Sequence, residues 1–368
     1  MMNCELRQLN TFIKSCSTSN AAIKNTASPI PKEGWYPAYS ASGQDVWLPE
    51  YRYSGKGIVV SAVGARCGKC FQADGKWNVT ANTHVLLVDE SIADYKYCWY
   101  LLNNENWWIK SGSGQPFVKV KDSLNRSILL PDLSTQQHIA AILDKISEGT
   151  AVCGKMMDEL DLMVKAKFVE MFGDAHNNSA FPYKNIGDLT TVTSGGTPDR
   201  ENNLYWDDGD IRWVKTTELQ NCTICDTEEK ITKLGLENSS AKLVPTGSVL
   251  IAMYGQGKTR GMTAYLENES ATNQACACVL PSSKINQKYL WQYLMLSYDA
   301  LRAMAKGGNQ PNLNISMIKN FPVLYPPMEL QNQYVEFVTY INKSVLTIKM
   351  ILAKMEMEKL ALMQEYFK

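Results

Sequence analysis

The sequence predicts an α+β protein of two similar strand-rich globules bearing short helices, separated by two long helices that pair as an antiparallel coiled coil. Three observations carry this expectation. The first is an internal duplication. Lys96-Tyr97-Cys98-Trp99-Tyr100-Leu101-Leu102 returns as Lys288-Tyr289-Leu290-Trp291-Gln292-Tyr293-Leu294. Gly112-Ser113-Gly114-Gln115-Pro116 returns as Gly307-Gly308-Asn309-Gln310-Pro311, and Pro131 through Gln136 as Pro326 through Gln331. The last two matches share an offset of about 195 residues, far beyond the unit of a solenoid. The second is a pair of short apolar runs between glycines, and the third is a sustained heptad spacing near the C-terminus.

In chain order, Gly57-Ile58-Val59-Val60-Ser61-Ala62-Val63-Gly64 and His84-Val85-Leu86-Leu87-Val88 read as buried strands. Residues 95–109 read as a helix rich in Tyr and Trp, ended by Gly112-Ser113-Gly114. From Ser134 the spacing becomes helical, with Ile139, Ile142, Leu143 and Ile146 on one face. Apolar residues continue through Met156, Leu160, Val164, Phe168 and Met171. Gly149 and Gly154 interrupt this stretch, each costing about 1 kcal/mol against Ala, which predicts a loosened or kinked turn. Gly173-Asp174 stands where a C-terminal glycine cap is expected.

The strand-rich texture restarts near residue 181. Gly247-Ser248-Val249-Leu250-Ile251-Ala252-Met253 stands where the Gly57 run stood, and Tyr289 to Tyr298 is the matching helix. Tyr334, Val338, Ile341, Val345, Ile348, Leu352 and Met355 then alternate at spacings of four and three. That is a coiled-coil seam of about three heptads. Helices of this length each span about 60 Å and cannot hide an apolar stripe alone. They either pair with each other, which the heptad spacing favours, or each folds back as a hairpin on its own globule.

Composition narrows the function. The 368 residues are 45% hydrophobic and 10% aromatic, enough for two cores. No stretch approaches the roughly 20 apolar residues of a membrane span. The start, Met1-Met2-Asn3-Cys4-Glu5-Leu6, lacks the layout of a signal peptide, so a cytoplasmic protein is expected. Lysine plus arginine equal aspartate plus glutamate at 37 each. A nucleic-acid binder of zero net charge must cluster its basic residues or share the phosphate grip with partners.

A search for catalytic chemistry returns little. The three histidines, His84, His138 and His176, lie in a strand, near a helix start and in a loop, without ligand spacing. Cys67-Gly68-Lys69-Cys70 and Cys222-Thr223-Ile224-Cys225 have the internal spacing of zinc ligands. They are separated by far more than the usual 15–20 residues, and reduced thiols are the plainer reading. Gly255-Gln256-Gly257-Lys258-Thr259 imitates a phosphate loop but carries Ala252 where the pattern needs glycine. Tyr325-Pro326-Pro327-Met328 lacks the flanking residues of an amino-methyltransferase motif. The expectation is a chain with no catalytic residues and no metal of its own.

Several motifs, in an order repeated twice, resemble the specificity subunit of type I restriction-modification systems over essentially the whole chain. Tyr39-Ser40-Ala41-Ser42-Gly43, Glu50-Tyr51-Arg52-Tyr53 and the Gly57–Cys70 segment look like the start of one target-recognition domain. Ser194-Gly195-Gly196-Thr197-Pro198 with Ile211-Arg212-Trp213-Val214 looks like the start of another. Pro131-Asp132-Leu133-Ser134-Thr135-Gln136-Gln137 and Pro326-Pro327-Met328-Glu329-Leu330-Gln331 match the entry into the family's two helices, and Phe168 to Asp174 resembles the end of the first. The resemblance implies target-recognition domains at 1–133 and 181–327 and spacer helices at 134–174 and 328–368.

It also implies that each domain reads one half of a split double-stranded DNA target. Partner methyltransferase subunits would modify adenine, and a restriction subunit would cut unmodified DNA. S-adenosylmethionine, ATP and magnesium would sit on those partners. Base reading needs side chains such as Arg, Lys, Asn and Gln in the polar loops. The candidates are Arg66, Lys69, Asn82 and Gln115 in the first domain, and Lys215, Lys258, Arg260, Asn273 and Gln310 in the second. Helix pairing or subunit docking falls to Ile139, Ile142, Leu143, Ile146, Leu160, Val338, Ile341, Val345, Ile348, Leu352 and Met355. One departure stands out: Leu6 through Ile13 only faintly echoes Ile186 through Thr193, and no Gly-Gly-Thr-Pro follows it. The alternatives are a specificity subunit serving methylation alone, a stand-alone nuclease or zinc-dependent enzyme using the CxxC pairs, and a coiled-coil scaffold that binds no DNA.

Overall fold

The computed structural model describes residues 4–17, 26–177, 181–255, 257–305 and 311–367. The chain divides into two units, one of residues 1–155 with 349–368 and the other of residues 156–348. Each long helix therefore contributes a stretch to both units.

Each unit is organised on a major sheet whose central strand is apolar on both faces. In unit 1 the order is Ile13–Ser17, Thr83–Val88, Gly57–Ser61 and Cys70–Ala73, all antiparallel. In unit 2 it is Val192–Ser194, Cys276–Val279, Val249–Ala252 and Thr263–Leu266, again antiparallel. The registers coincide. Ser15, Leu86, Ile58 and Gln72 form one cross-strand row in unit 1. Val192, Val279, Val249 and Tyr265 form the same row in unit 2. Both central strands are buried along their whole length, as continuous apolar runs require. Unit 2 adds Cys222–Ile224, parallel to Thr263–Leu266.

A minor sheet accompanies each major one. In unit 1 Tyr36–Ser40 lies antiparallel to Gly43–Leu48 and parallel to Lys76–Val79. In unit 2 Ile211–Val214 lies antiparallel to Glu229–Ile231 and parallel to Ala271–Thr272.

The faint echo at the start of the two halves is a full structural equivalence. Cys4–Gln8, a single 3-10 turn and Ile13–Ser17 correspond to Tyr183–Asn185, a single helical turn and Val192–Ser194. Cys4–Gln8 pairs antiparallel with Ser127–Pro131, and Tyr183–Asn185 with Pro322–Leu324. What survives in sequence is only the apolar spacing of Leu9 and Phe12 against Ile186 and Leu189, all buried. The stretch after Ser17, where a Gly-Gly-Thr-Pro would fall, lies at residues 18–25, outside the described residues.

The long helices span Leu133–Phe172 and Met328–Tyr366. The first helix is continuous through Gly149 and Gly154. A Cβ at Gly149 would stand 2.3 Å from Cε of Met355. The Met355 side chain thus packs over the glycine, with its flexible terminal methyl closest. Pairing is antiparallel in order: in unit 1 the early part of the first helix meets the late part of the second. In unit 2 Lys167 lies over the Phe337 ring at 5.9 Å, and Phe168 meets Tyr334 at 5.5 Å.

Of the heptad positions, Ile139, Leu143, Ile146, Val338, Ile341 and Ile348 are buried, while Ile142, Leu160, Val345, Leu352 and Met355 are half-buried. Ile139 and Leu143 join the core of unit 1, with Leu362, Met363, Tyr366 and Phe367 packed on it. Val338 joins that of unit 2. The helix ends are therefore parts of the globules as well as of a seam.

The duplicated glutamine has a definite task. Gln136 is fully buried; its Oε1 accepts the Asp94 N–H at 2.8 Å and its Nε2 donates to the Pro131 carbonyl at 2.7 Å. Gln331 repeats this with the Asn286 N–H at 2.9 Å and the Pro326 carbonyl at 2.8 Å. Asp94 and Asn286 cap the two Tyr-rich helices, Tyr95–Leu102 and Gln287–Leu296. Each glutamine thus ties the start of a long helix to the start of a short one.

The first Tyr-rich helix is shorter than expected and ends at Leu102, not at 109. Asn103 leaves helical geometry, and its Oδ1 accepts the Cys70 N–H at 3.1 Å. Trp108, which prolonged the apolar pattern, is buried outside the helix and donates to the Leu102 carbonyl at 2.9 Å.

The first long helix carries a pH-dependent start. Asp132 accepts hydrogen bonds from the Ser134 hydroxyl and from the N–H and hydroxyl of Thr135, which hold its carboxyl down at about 2. A carboxyl depressed by folding stabilises the fold above its unfolded pKa, roughly 3.9, and loses that contribution as pH falls through the folded value. The stability gap between wild type and Asp132→Ala, read from urea midpoints, is therefore expected to shrink between roughly pH 5 and pH 2. A gap unchanged over that window would contradict the assignment.

Candidate nucleic-acid interface

In both units the described candidate residues gather at one end of the major sheet, where the central strand leaves and its neighbours begin. In unit 1 the Ser61 N–H donates to the Lys69 carbonyl at 2.9 Å, and the Gly68 N–H returns to Ser61 at 2.8 Å. The Ala62 N–H donates to the Asn82 carbonyl at 2.9 Å, and Gly64 to the Pro116 carbonyl at 2.8 Å. Arg66, Lys69, Asn82 and Gln115 thus share one loop cluster. Arg66 and Gln115 are exposed, and the Lys69 ammonium lies 5.8 Å from the Phe71 ring centre. Asn82 has φ +65°, a left-handed conformation asparagine tolerates well, so the turn itself accounts for its presence.

In unit 2 the equivalent end is built from residues 254–255, 257–261, 272–275 and 311–313. The Met253 N–H donates to the Ala275 carbonyl at 2.8 Å, and the Leu313 N–H to the Met253 carbonyl at 3.0 Å. Lys258 is exposed. The other candidates there are engaged inside the protein. The Asn273 N–H donates to the Val214 carbonyl at 3.1 Å, while its Oδ1 accepts the Ala275 N–H at 3.2 Å. Arg260 donates to the Pro311 carbonyl. Lys215 pairs with Glu228 at 2.8 Å and Glu229 at 3.0 Å, which raises its pKa. Burial works against ionisation of Glu229, but hydrogen bonds from Lys215 and Arg200 keep its carboxyl below the usual range. Gln310 lies outside the described residues.

The Gly-Gly-Thr-Pro stretch is a packing device beside this end. A Cβ at Gly195 would fall 2.0 Å from the Thr272 carbonyl oxygen, and one at Gly196 2.2 Å from Ser240 Oγ. The Gly196 carbonyl accepts from the indole N–H of Trp213 at 3.0 Å, and the Arg200 guanidinium lies 3.7 Å from the Trp206 ring. Only glycine lets the chain pass between the two sheets here.

Of the two CxxC pairs, the first is packed inside unit 1, whereas Cys222 is half-buried and Cys225 exposed. Cys67 and Cys70 are buried, and the Cys70 thiol donates to the Leu102 carbonyl at 3.2 Å. Burial pushes its pKa up, as it does that of Cys278, raised to about 11. Among the described residues no three His, Cys, Asp or Glu side chains are grouped to hold a metal ion.

Two equivalent loop clusters, each on an equivalent sheet, form the setting for the comparisons with known proteins. The sequence profile of the type I restriction modification DNA specificity domain matches residues 10–160 and 178–357. The chain belongs to that family. DNA sequence specificity within a type I restriction-modification system is therefore its function. It is 24% identical over 303 residues to the type I restriction enzyme EcoR124I/EcoR124II specificity subunit of Escherichia coli, covering 78% of this chain and 72% of that one. It is 27% identical over 165 residues to the MjaIX specificity subunit of Methanocaldococcus jannaschii, covering 43% and 37%.

The fold is shared with the crystal structure of a type I system S subunit from M. genitalium, with a TM-score of 0.68 at 14% identity over 100% of this chain and 96% of that one. A chain solved in work on complex assembly and conformational transition of the type I R-M system gives 0.58 at 15% identity, covering 99% and 97%. Among the described residues no helix is long and apolar enough to cross a membrane.

Within this specificity-family fold, sequence reasoning missed the ties made by Gln136 and Gln331, although the duplicated Pro-to-Gln motifs marked both positions. It also missed the carbonyl and carboxylate partners that immobilise Arg260 and Lys215. No local signal could have shown them, because those partners are distant in sequence.

Proposed function

We propose that each unit reads one half of a bipartite double-stranded DNA target through the loop cluster at the end of its major sheet. The observation that carries this reading is the repetition of strand order, register and loop placement in both units. Exposed Arg66 and Lys258, with Lys69, supply local positive charge in a chain of zero net charge. They meet phosphates or guanine edges, whereas Asn273 and Lys215 shape the loops.

The two helices set the distance between half-targets and dock the partners. Val152, Met156, Leu162, Met163 and Val169 on the first helix are exposed, as are Tyr340, Leu346, Met350 and Met357 on the second. Apolar surface of this kind supports coverage by partner subunits. The partners are two methyltransferase subunits and a restriction subunit. They carry S-adenosylmethionine, ATP and magnesium, and this chain performs no catalysis in the cytoplasm of its host.

Exchanging residues 181–327 for those of another family member tests the reading. Methylation mapping is expected to show one half-target changed and the other retained. A change in both halves, or in neither, contradicts it.

A further inference from the structure

Residues 257–261 lead into Thr263–Leu266 at the sheet end assigned above to DNA, beyond the end of Val249–Ala252. A short helix, Tyr298–Ala303, supplies two side chains to this turn. The Tyr298 hydroxyl donates to the Lys258 carbonyl at 2.7 Å. Arg302 Nη1 donates to the Arg260 carbonyl at 2.8 Å and to the Tyr298 hydroxyl oxygen at 3.1 Å. Its guanidinium lies 5.2 Å from the Tyr298 ring centre. Gly261, at φ +86°, makes room for the contact: a Cβ there would stand 3.1 Å from Arg302 Cγ.

We propose that Tyr298 and Arg302 are positioning residues for DNA reading by unit 2, fixing the turn that carries Lys258. The proposal rests on the reading that this sheet end faces DNA. Three features support it. The two side chains grip the carbonyls on either side of Thr259, so they fix the backbone of the turn and not merely its packing. A loop held in its binding geometry loses less freedom on association, which improves affinity and discrimination together.

The second feature is the choice of acceptor. Among the described residues, neither Arg302, Arg260 nor Lys258 has a carboxylate within ion-pair distance; Nη1 of each arginine donates to a carbonyl, and that of Arg302 also to the Tyr298 phenol oxygen. A carboxylate would hold an arginine as firmly but would cancel its charge and repel phosphate. Carbonyls hold it and leave the charge in place.

The third feature is the contrast with unit 1. Both turns share one closing bond, the Lys69 N–H on the Arg66 carbonyl at 3.1 Å in unit 1 and the Met262 N–H on the Thr259 carbonyl at 3.0 Å in unit 2; they differ in what backs them. Trp108 packs against Gly68, where a Cβ would stand 2.7 Å from the indole. Among the described residues Trp108, not an arginine on a separate helix, backs the unit 1 turn, so the effect is confined to one half-target.

The test uses the full chain in complex with its methyltransferase subunits. Binding is measured to the target duplex and to duplexes carrying one altered base pair in either half, at several salt concentrations. Arg302→Met is expected to lose roughly tenfold in discrimination at the half-target read by unit 2, with the other half and the melting temperature unchanged. Tyr298→Phe should lose less, and Arg302→Lys, which keeps a donor for the Arg260 carbonyl, should recover part of the loss. Unchanged discrimination at both halves overturns the proposal. So does an equal loss at both halves with a lowered melting temperature, which marks a structural role. A uniform loss across sequences with a shallower salt dependence also overturns it, in favour of direct phosphate contact. A wild-type complex that discriminates at neither half overturns the proposed function itself, not this inference alone.

Discussion

Phe168→Ala is expected to destabilise unit 2 by about 3–5 kcal/mol, the range for deleting a fully packed aromatic side chain. Phe168 is 1% exposed on the first long helix. Its ring centre lies 5.0 Å from Phe172, 5.5 Å from Tyr334, 6.1 Å from Tyr293 and 6.3 Å from Tyr289. Tyr334 belongs to the second long helix, and Tyr289 and Tyr293 to the Tyr-rich one. One side chain therefore joins three helices, and its loss leaves a cavity that none of them fills without moving. Val169, its exposed neighbour at 58%, provides the control: Val169→Ala should change stability by no more than about 0.5 kcal/mol. Urea unfolding of the purified chain measures both. A Phe168→Ala loss below about 1 kcal/mol would contradict the packing described.

Gln331→Leu is expected to cost about 2–6 kcal/mol, and Gln136→Leu a similar amount in unit 1. Leucine nearly conserves volume, so little of the loss comes from packing. It leaves the Asn286 N–H and the Pro326 carbonyl without the partners they hold at 2.9 and 2.8 Å. Each orphaned buried group costs roughly 1–3 kcal/mol. Because Asn286 also caps the Tyr-rich helix through its Oδ1, hydrogen exchange should accelerate first in Gln287–Leu296. The corresponding change after Gln136→Leu should appear in Tyr95–Leu102. Similar losses at the two sites would show that a duplicated sequence motif carries a duplicated interaction. A loss at one site alone would contradict that equivalence.

The duplication was legible because its strongest matches are residues with one fixed task. The Pro-to-Gln segment returns because its glutamine must bond a carbonyl five residues back and the first residue of a distant helix. The glycine-flanked strands return because the centre of a sheet covered on both faces admits only apolar side chains. The N-terminal strand–turn–strand was nearly illegible because its solvent-facing residues diverged and only Leu9 and Phe12 kept their spacing. Gly149 shows the limit of propensity, which registers its cost within a helix but not the Met355 side chain packed over it.

Among the candidate site residues, type and loop were legible but engagement was not. Lys215 looked available, yet its acids lie on a neighbouring strand. Arg260 looked available, yet its acceptor is the carbonyl of Pro311, some fifty residues on. Those partners arise from tertiary proximity, which no local pattern records. Tyr298 and Arg302 carried no signal at all, because a side chain that holds a loop from a separate helix resembles any other surface residue.

The most direct test of the central claim, that two equivalent units read a split target, is single-molecule methylome sequencing. A host carrying this chain with its cognate methyltransferase is compared with the same host lacking the chain. Adenine methylation at one bipartite motif, present with the chain and lost without it, is the predicted result. An unchanged methylome, with methyltransferase expression confirmed, would contradict the claim.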